Sequence, residues 1–392
     1  MKPLDDITVV SIEQAISAPY GTRHLADLGA RVIKIERPGA GDFARAYDDR
    51  VLGLASYFVW ANRFKESLTL DVKHERAGEI LARLIGRADV LVQNLAPGAT
   101  DRLGLSAGKL RSQHPRLIVC DISGYGLDGP YRDKKAYDLL VQAEAGLLSV
   151  TGSPAEMARA GISIADIAAS MYAYSQILAA LIQRMRTGQG CHIDVSMLEA
   201  LTEWMGNPLY YGYNDAPQAE RSGASHPSIY PYGPFRIGDG KTVFIGIQNE
   251  REWPVFCRDV LRLPELAFDQ RYNTNNRRSA NRESLRQLIE NTFGDLDTAT
   301  VLARLDQANI ANATVNRIAD VWRHPQLQAR HCWLEVGTPA GAVKALLPPG
   351  FNDGFQPRLG PVPAIGEHTD AILMELGYTV DEIRTLHEVQ AV

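Results

Sequence analysis

The amino-terminal third of the chain alternates short β-branched runs with helix-like segments, and this alternation leaves few possible folds. The strand-like runs lie at residues 7–12, 31–36, 67–72, 89–94 and 117–122. Amphipathic helical periodicity separates them, for example at residues 75–87. Repeated strand–helix–strand units are typical of a parallel sheet. We therefore predict an α/β fold with a Rossmann-like sheet.

The turn after the first predicted strand contains no glycine. Residues 13–19 read Glu-Gln-Ala-Ile-Ser-Ala-Pro, whereas a dinucleotide-binding turn carries G-x-G-x-x-G so that the pyrophosphate can approach the backbone. We therefore expect no nicotinamide or flavin binding at this turn.

The composition of the chain changes after Pro208, where tyrosine, proline and glycine become frequent up to Pro234. A second α/β pattern follows, with a strand at 241–247, helices at 250–261, 281–293 and 298–307, and a further boundary near Pro325. We predict a large Rossmann-like domain that begins at 1–208, a linker and smaller inserted α/β domain at 209–325, and a return segment at 326–392 that completes the large domain.

Charge and composition narrow the classes of partner. The net charge is −5 and the pI is about 6.0, so no basic excess is present to hold nucleic acid or an anionic membrane. No signal-peptide pattern or apolar run of about twenty residues is apparent. The four cysteines are scattered without zinc-ligand spacing. We expect a cytoplasmic protein that acts on small molecules, with reduced thiols and no metal site.

Asp166 is a carboxylate among small and aliphatic residues at 161–169, just before a predicted apolar helix at 170–184. Poor solvation raises the pKa of such a group or makes its ionised form a stronger nucleophile, and groups of this kind concentrate at functional sites. The structural alternative is a helix N-cap, because aspartate is a preferred capping residue. This stretch by itself favours the cap, and the rest of the chain favours function.

Eight separated stretches follow one another as they do in a known family. They include Leu-Gly-Ala-Arg-Val-Ile-Lys-Ile-Glu-Arg-Pro-Gly at 28–39, and the others lie at 3–7, 94–104, 123–131, 136–138, 161–166, 187–190 and 366–369. In this order they resemble the family III CoA-transferases, the group of formyl-CoA transferase and carnitine CoA-transferase. The resemblance spans nearly the whole chain.

The resemblance implies that Asp166 is the catalytic nucleophile of an acyl-CoA:carboxylate CoA-transferase. The carboxylate would attack the donor thioester and carry CoA as an aspartyl-CoA thioester, so that the thioester energy is conserved. It also implies a CoA-binding large domain and a homodimer of interlocked rings. The substrates would be an acyl-CoA and a carboxylic acid, with no tightly bound cofactor.

The phosphates of CoA require cations or helix N-termini. By resemblance, the cations are Arg37, Arg102 and Lys135, with Lys65 as a further candidate. Lys65 precedes Glu66, where the family often has arginine. The alternative for each cation is a solvated surface charge. The other CoA-binding candidates are Ile16 and Ser17 near the thioester, and Asn94, Leu95 and Pro97 near the nucleotide.

Tyr137 is the second predicted catalytic residue. α-Methylacyl-CoA racemases of the same superfamily carry Gly-His-Asp where this chain has Ala136, Tyr137 and Asp138. A phenol with a pKa of about 10 exchanges a carbon-bound proton poorly. Tyr137 therefore suits substrate positioning, or else packs its ring in a helix. A racemase-like isomerase and a non-catalytic acyl-CoA-binding protein are the rival functions.

The stretch around His226 resembles that of relatives that act on short dicarboxylic acids, and this resemblance implies a substrate acid of the same kind. Formyl-CoA transferases carry a glycine-rich loop in the middle region, whereas this chain has His226 within the proline-containing stretch 222–233. Gln14 and His226 are the predicted substrate-binding residues, and His226 would recognise a distal carboxylate. The alternative is a structural turn with His226 on its surface.

Overall fold

A computed structural model describes residues 2–350, 352–357 and 359–392. Within these ranges the strands, labelled β1 to β11 in chain order, are Thr8–Ile12, Arg31–Glu36, Glu66–Thr69, Val90–Gln93, Ile118–Ser123, His192–Ser196, Tyr232–Arg236, Thr242–Gly246, Ala311–Thr314, Trp333–Thr338 and Gly341–Leu346.

The α-helices of the same ranges, α1 to α18 in chain order, are Pro19–Asp27, Ser56–Asn62, Ala77–Ile85, Ala99–Arg102, Ala107–Gln113, Asp138–Glu144, Leu147–Val150, Ile164–Thr187, Met197–Trp204, Gly206–Tyr211, Glu252–Val255, Asn275–Ala280, Arg282–Phe293, Thr298–Gln307, Ile318–Val321, Pro325–Ala329, Thr369–Glu375 and Val380–Glu388. Short 3-10 segments lie at Phe43–Ala46, Tyr213–Asp215 and Pro264–Phe268, and one π-helical segment lies at Phe256–Leu261.

Six parallel strands form the main sheet in the order β3-β2-β1-β4-β5-β6. This is the doubly wound strand order of a Rossmann-like fold, so the predicted fold class is confirmed. The chain leaves β1 towards β2 on one side and returns through β4 on the other. Ligands of such sheets bind outside the carboxyl ends of the strands at this switch point. In this protein the switch point lies between the ends of β1 and β4.

Helices cover both faces of the main sheet. One hydrophobic core joins β1, β4 and β5 to α1, α8 and α9, and a second joins the opposite face to α3, α5, α17 and α18. The central strand β4 is buried along its whole length, as expected for a parallel sheet with two covered faces.

The chain divides into two compact units, and the first contains the main sheet. The first unit comprises residues 1–147, 160–207 and 326–392, and the second comprises residues 148–159 and 208–325. The second unit holds the antiparallel sheet β7-β8-β9 and its own core. The sequence analysis had placed residues 148–159 in the first segment, and the structure groups them with the second. That each unit is a separate domain stays a prediction.

The long helix α8 is apolar enough to span a membrane by length and composition alone. Core helices of soluble proteins meet the same criterion. Here its alanine-rich side, including Ala169 and Ala173, is buried in the core under the main sheet. The predicted lack of membrane association stays a prediction.

Candidate active site

The turn that follows β1 lies at the switch point and is held by Asn94, the residue after β4. Asn94 Nδ2 donates to the carbonyl oxygen of Gln14 at 2.8 Å and to Ser17 Oγ at 3.0 Å. Asn94 Oδ1 accepts from the N–H of Gln14 at 2.9 Å. Three predicted site residues, Gln14, Ser17 and Asn94, are therefore brought together. Asn94 orders the turn with these bonds.

Asp166 lies in the first turn of α8, which begins at Ile164. The helix starts earlier than the sequence predicted, and its N-cap is Ser163. Asp166 is therefore not the N-cap, and the capping interpretation is wrong. The side chain is half-buried, so it stays reachable while losing part of its hydration.

Asp138, to which the sequence analysis gave no role, supplies the acceptor that the start of α8 needs. Its Oδ1 accepts from the N–H of Ala165 at 2.8 Å and from the N–H of Asp166 at 3.3 Å. Gln142 Nε2 donates to the other oxygen at 2.6 Å. Local spacing could not reveal this cap, because Asp138 belongs to a different helix, α6.

The environment of Asp166 favours its protonated form. Burial, and after it the nearby charge of Asp138, raise the pKa of Asp166 from 3.8 to about 7, although a hydrogen bond with Ser17 acts in the opposite sense. A carboxyl group with this pKa is about half ionised at neutral pH. Asp166 can therefore act as a nucleophile whose ionised form is weakly solvated.

The turn leaves some of its backbone N–H groups unpaired among the described residues. Ser170 Oγ donates to the carbonyl oxygen of Ser17 at 2.6 Å, and Tyr20 N donates to that of Ile16 at 2.9 Å. Among the described residues, the N–H groups of Ile16 and Ser17 make no hydrogen bond. Unpaired donors beside a nucleophile are suited to a developing oxyanion.

Lys65 is buried, which rules it out as a phosphate ligand here. Its Nζ donates to Glu13 Oε1 at 2.6 Å, to the carbonyl oxygen of Pro19 at 2.8 Å and to Asn62 Oδ1 at 3.0 Å. These three acceptors match the three protons of an ammonium group. Burial lowers the pKa of Lys65 to about 8, and the charge of Glu13 opposes that shift. The CoA-binding prediction for Lys65 is wrong, and so is its surface-charge alternative.

Lys65 belongs to a buried cluster of ion pairs beneath the turn. Two further ion pairs belong to this cluster. Lys34 Nζ lies 2.8 Å from Asp42 Oδ2, and Arg45 forms two hydrogen bonds of 2.8 Å with Glu36. Three carboxylates and three cations give a neutral set, namely Glu13, Glu36, Asp42, Lys34, Arg45 and Lys65.

The three remaining predicted cations are exposed. Arg37 follows β2, Arg102 ends α4, and Lys135 precedes α6. None of them has an ion-pair partner among the described residues. They are therefore available to an anionic ligand. Leu95 is half-buried and Pro97 exposed on the loop after β4, and their contact with the nucleotide of CoA stays a prediction.

Tyr137 is the N-cap residue of α6 and its side chain is 69% exposed. The alternative of a ring packed in a helix is therefore wrong. Tyr47, which the sequence analysis missed, lies near both Tyr137 and Asp166. Burial, with the charges of Asp42 and Asp166, raises the pKa of Tyr47 to about 12. The neutral phenol of Tyr47 thus lies near the Asp166 carboxyl group, and Tyr137 lies near Tyr47.

His226 lies in the second unit, and one of its ring nitrogens accepts hydrogen bonds from the backbone of its own turn. Nδ1 accepts from the N–H groups of Ser228 at 3.2 Å and Ile229 at 3.0 Å. The ring stacks on Tyr232 with centroids 5.3 Å apart. Because Nδ1 is an acceptor, the neutral ring carries its proton on Nε2. His226 thus has a structural role, and substrate binding through Nε2 stays a prediction.

Among the described residues, no group of His, Cys, Asp or Glu side chains is arranged to hold a metal ion. A crevice of about 670 Å³ runs along β6 between α8 and α9, and its lining does not include Asp166. The reactive candidates are therefore those at the switch point.

Comparison with known proteins agrees with this geometry. The model of CoA-transferase family III matches residues 4–369. The chain is 34% identical to the succinyl-CoA:glutarate CoA-transferase of Mus musculus, covering 96% of this chain and 87% of the relative. It is 35% identical to the acetyl-CoA:oxalate CoA-transferase of Acetobacter aceti, covering 90% of each.

A crystal structure of a CAIB/BAIF family protein from Brucella suis superposes with a TM-score of 0.86 at 33% identity, covering 96% of this chain and 99% of that one. The family match extends over almost the whole chain, and the solved structure has the same fold. The chain therefore belongs to CoA-transferase family III and is a CoA-transferase.

Proposed function

We propose that the protein moves CoA between short dicarboxylic acids through an aspartyl-CoA thioester on Asp166. The observation that carries the proposal is the half-buried Asp166 carboxyl at the start of α8, with a pKa raised to about 7 and unpaired backbone donors nearby. The named relatives act on glutarate and oxalate, which supports a dicarboxylic acceptor here.

In the first half-reaction the ionised Asp166 oxygen attacks the thioester carbonyl of the donor. The C–S bond breaks and leaves a mixed anhydride and the CoA thiolate. The thiolate then attacks the Asp166 carbonyl carbon and releases the donor acid as its carboxylate. Aspartyl-CoA remains, and no proton is gained or lost.

In the second half-reaction the acceptor carboxylate attacks aspartyl-CoA and releases the thiolate again. The thiolate attacks the acceptor carbonyl of the new anhydride, which forms the new acyl-CoA and restores the Asp166 carboxylate. Water would hydrolyse either intermediate, so its exclusion protects the thioester energy. The alanines around Asp166 are buried, which favours that exclusion.

Other residues are assigned by their positions. The N–H groups of Ile16 and Ser17 stabilise the oxyanion of each addition. Arg37, Arg102 and Lys135 neutralise the phosphates of CoA. Asn94, Leu95 and Pro97 line the nucleotide side.

Two side chains of the first unit contact the acid substrate in this proposal. Tyr137 positions the carboxylate with its hydroxyl, and Gln14 contacts the same acid, while acid binding by His226 stays a prediction from the family resemblance. A phenol at position 137 also disfavours the racemase-like alternative, because that reaction needs a group that titrates near neutrality.

We also propose a homodimer. The outward side of α8 exposes Ile182 by 52% and Met185 by 85%, and apolar patches of this kind favour a protein partner. The interlocked arrangement rests on the family resemblance stated above.

The test is the intact mass of the protein after mixing with succinyl-CoA. Wild type should gain one CoA, and hydroxylamine should remove it. Asp166→Asn should gain nothing, whereas Asp381→Asn, which changes an exposed aspartate on α18, should behave as wild type. An adduct that persists in Asp166→Asn, or no adduct with succinyl-, glutaryl- and oxalyl-CoA, would reject the covalent mechanism.

A second arm separates the rivals. Transfer to glutarate should exceed transfer to the monocarboxylate butyrate. Solvent deuterium entering an acyl-CoA without any acceptor would identify an isomerase. CoA binding without exchange or transfer, and unaffected by Asp166→Asn, would identify a binding protein.

A further inference from the structure

The turn between β1 and α1 adopts a backbone conformation that its own residues do not favour. Ala15 has φ of 61°, a left-handed conformation that costs a non-glycine residue roughly 1 kcal/mol or more. No regular element contains Ala15. The conformation must therefore be imposed by neighbouring side chains.

Asp42 is the side chain that contacts Ala15. Its Oδ1 accepts from the N–H of Ala15 at 3.1 Å and from the N–H of Ala44 at 2.9 Å. Asp42 is 1% exposed and Ala15 is half-buried, so this bond is partly shielded from water. Leaving a shielded N–H group without a partner is costly, and Asp42 therefore favours the conformation in which this bond forms.

Asp42 is itself fixed from the opposite side. Its Oδ2 accepts from Lys34 Nζ at 2.8 Å, and the same ammonium group donates to the carbonyl oxygen of Glu13 at 3.2 Å. The backbone N–H of Asp42 donates to Glu36 Oε2 at 3.0 Å. Asp42 thus joins the buried ion-pair cluster to the turn.

The turn between β1 and α1 also lies against Asp166. Two residues after Ala15, Ser17 lies beside Asp166, because the Ser170 hydroxyl lies 2.6 Å from the carbonyl oxygen of Ser17 and 2.8 Å from that of Asp166, and the Ser17 hydroxyl lowers the pKa of the Asp166 carboxyl. Ser170 and Asn94 hold Ser17 by its carbonyl and hydroxyl oxygens. Asn94 also bonds the backbone of Gln14, whereas the N–H of Ala15 is bonded by Asp42. A change of conformation at Ala15 would therefore displace Ser17 relative to Asp166.

We propose that Asp42 is a positioning residue of the transfer reaction, which holds Ala15 in its left-handed conformation and so places Ser17 against Asp166. The inference rests on the proposed role of Asp166. It assigns to Asp42 no contact with substrate, so its effect must reach the reaction through the turn.

The first test is the titration of Asp166 in the free protein, followed by carbon-13 NMR of its carboxyl group. Asp42→Ala should raise the midpoint by about one pKa unit, because a displaced Ser17 no longer stabilises the carboxylate. Asp42→Asn keeps an oxygen that can face Ala15 and should shift the midpoint less. Asp27→Asn removes another buried, ion-paired carboxylate (1% exposed, bonded to Arg63) and should leave the midpoint unchanged.

The second test is a double-mutant cycle on the single-turnover rate of CoA adduct formation with succinyl-CoA. Asp42→Ala should lower the rate by roughly 10-fold to 100-fold, because small misplacements of reacting groups are costly. Ala15→Gly removes the left-handed penalty and should restore about five-fold of the loss in Asp42→Ala. It should change the wild-type rate little. If Asp42→Ala does not fold, the cycle is run on Asp42→Asn.

If Ala15→Gly changed the rate of adduct formation equally in wild type and in Asp42→Ala, the proposal would be overturned. A titration midpoint of Asp166 that no Asp42 variant moves would also overturn it. Equal midpoints in Asp42→Ala and Asp42→Asn would also overturn it, since the Ala15 bond would then be irrelevant. If wild type forms no adduct, the covalent mechanism fails. The titration still decides the role of Asp42, because it needs no turnover.

Discussion

Replacing Asp138 by asparagine should move the pH dependence of the reaction to lower pH. Asp138 Oδ1 lies 3.3 Å from the N–H nitrogen of Asp166, and ordinary bond lengths then put the two carboxyl groups roughly 6 Å apart. At an effective dielectric constant of about 20, two charges at that distance repel by about 2.8 kcal/mol, or about two pKa units. Salt screening reduces this to about one unit.

An asparagine at position 138 can still accept from the N–H groups of Ala165 and Asp166, so the start of α8 should survive. The bond from Gln142 is lost, which costs about 1 kcal/mol of stability. The assay is the single-turnover rate of CoA adduct formation between pH 5 and 9. The rate should rise with pH as Asp166 ionises, with a midpoint of about 7 in wild type and about one unit lower in the variant.

Gln142→Met is the matched control, because it removes the same hydrogen bond and keeps the Asp138 charge. Its midpoint should equal that of wild type. A variant Asp138→Asn that folds, forms the adduct and titrates at the wild-type midpoint would refute the electrostatic reasoning. A midpoint that moves to higher pH in Asp138→Asn would also refute the electrostatic reasoning.

Three further outcomes are expected. Folding raises the pKa of Asp166 from 3.8 to about 7. The free energy of unfolding of the wild-type protein should therefore fall as the pH rises from about 4 to about 7, because the unfolded chain ionises first. This pKa shift corresponds to about 4 kcal/mol, which the partial exposure of Asp166 reduces to about 2 kcal/mol. Asp166→Asn should therefore be about 2 kcal/mol more stable than wild type at pH 8 and equal to it near pH 4 in urea unfolding; equal stability at both pH values contradicts this. Lys65→Met should cost about 3–5 kcal/mol by leaving Glu13 short of a partner, while the folded fraction keeps its KM for succinyl-CoA. Arg102→Ala should raise that KM about ten-fold at low salt with kcat unchanged, and 0.5 M salt should shrink the difference; a salt-independent effect argues against a phosphate contact.

The main features of the fold could be predicted from local sequence, because each parallel strand is a short β-branched run followed by a helix. The helix at 298–307 was placed to the residue. The start of α8 was missed because Gly161, Ser163 and Asp166 are typical of turns and caps, although the rest of the stretch 161–169 is aliphatic. β7 was missed because Pro234 and Gly233 are untypical of a strand, and here they occupy a strand whose partner, β8, lies on one side only.

The candidate site was predictable only in part. Asp166 and Asn94 belong to stretches that carry the family resemblance, Ser17 was a CoA-binding candidate by that resemblance, and the structure brings them together at the switch point. The surroundings of Lys65 were not predictable, because its partners Glu13 and Asn62 come from other elements and only the folded chain shows that they enclose it. Tertiary burial thus decides whether a lysine near a site is a ligand or a structural cation.

The carboxyl-terminal segment closes the open edge of the main sheet. β3 is an edge strand, and its backbone is met by the segment that precedes α17: Ser67 O accepts from the N–H of His368 at 3.0 Å, and the N–H of Thr69 donates to Thr369 Oγ1 at 3.0 Å. These partners are about 300 residues apart in the chain.

During synthesis, β3 is therefore made long before the segment that covers it. An unpaired edge strand is a template for association with other chains. The nascent protein should consequently be most prone to aggregation while the second unit is being translated, and a chain that stops before Thr369 should expose that edge permanently. Truncation of the last helices would then be harmful through solubility, although those helices are remote in sequence from every residue of the site.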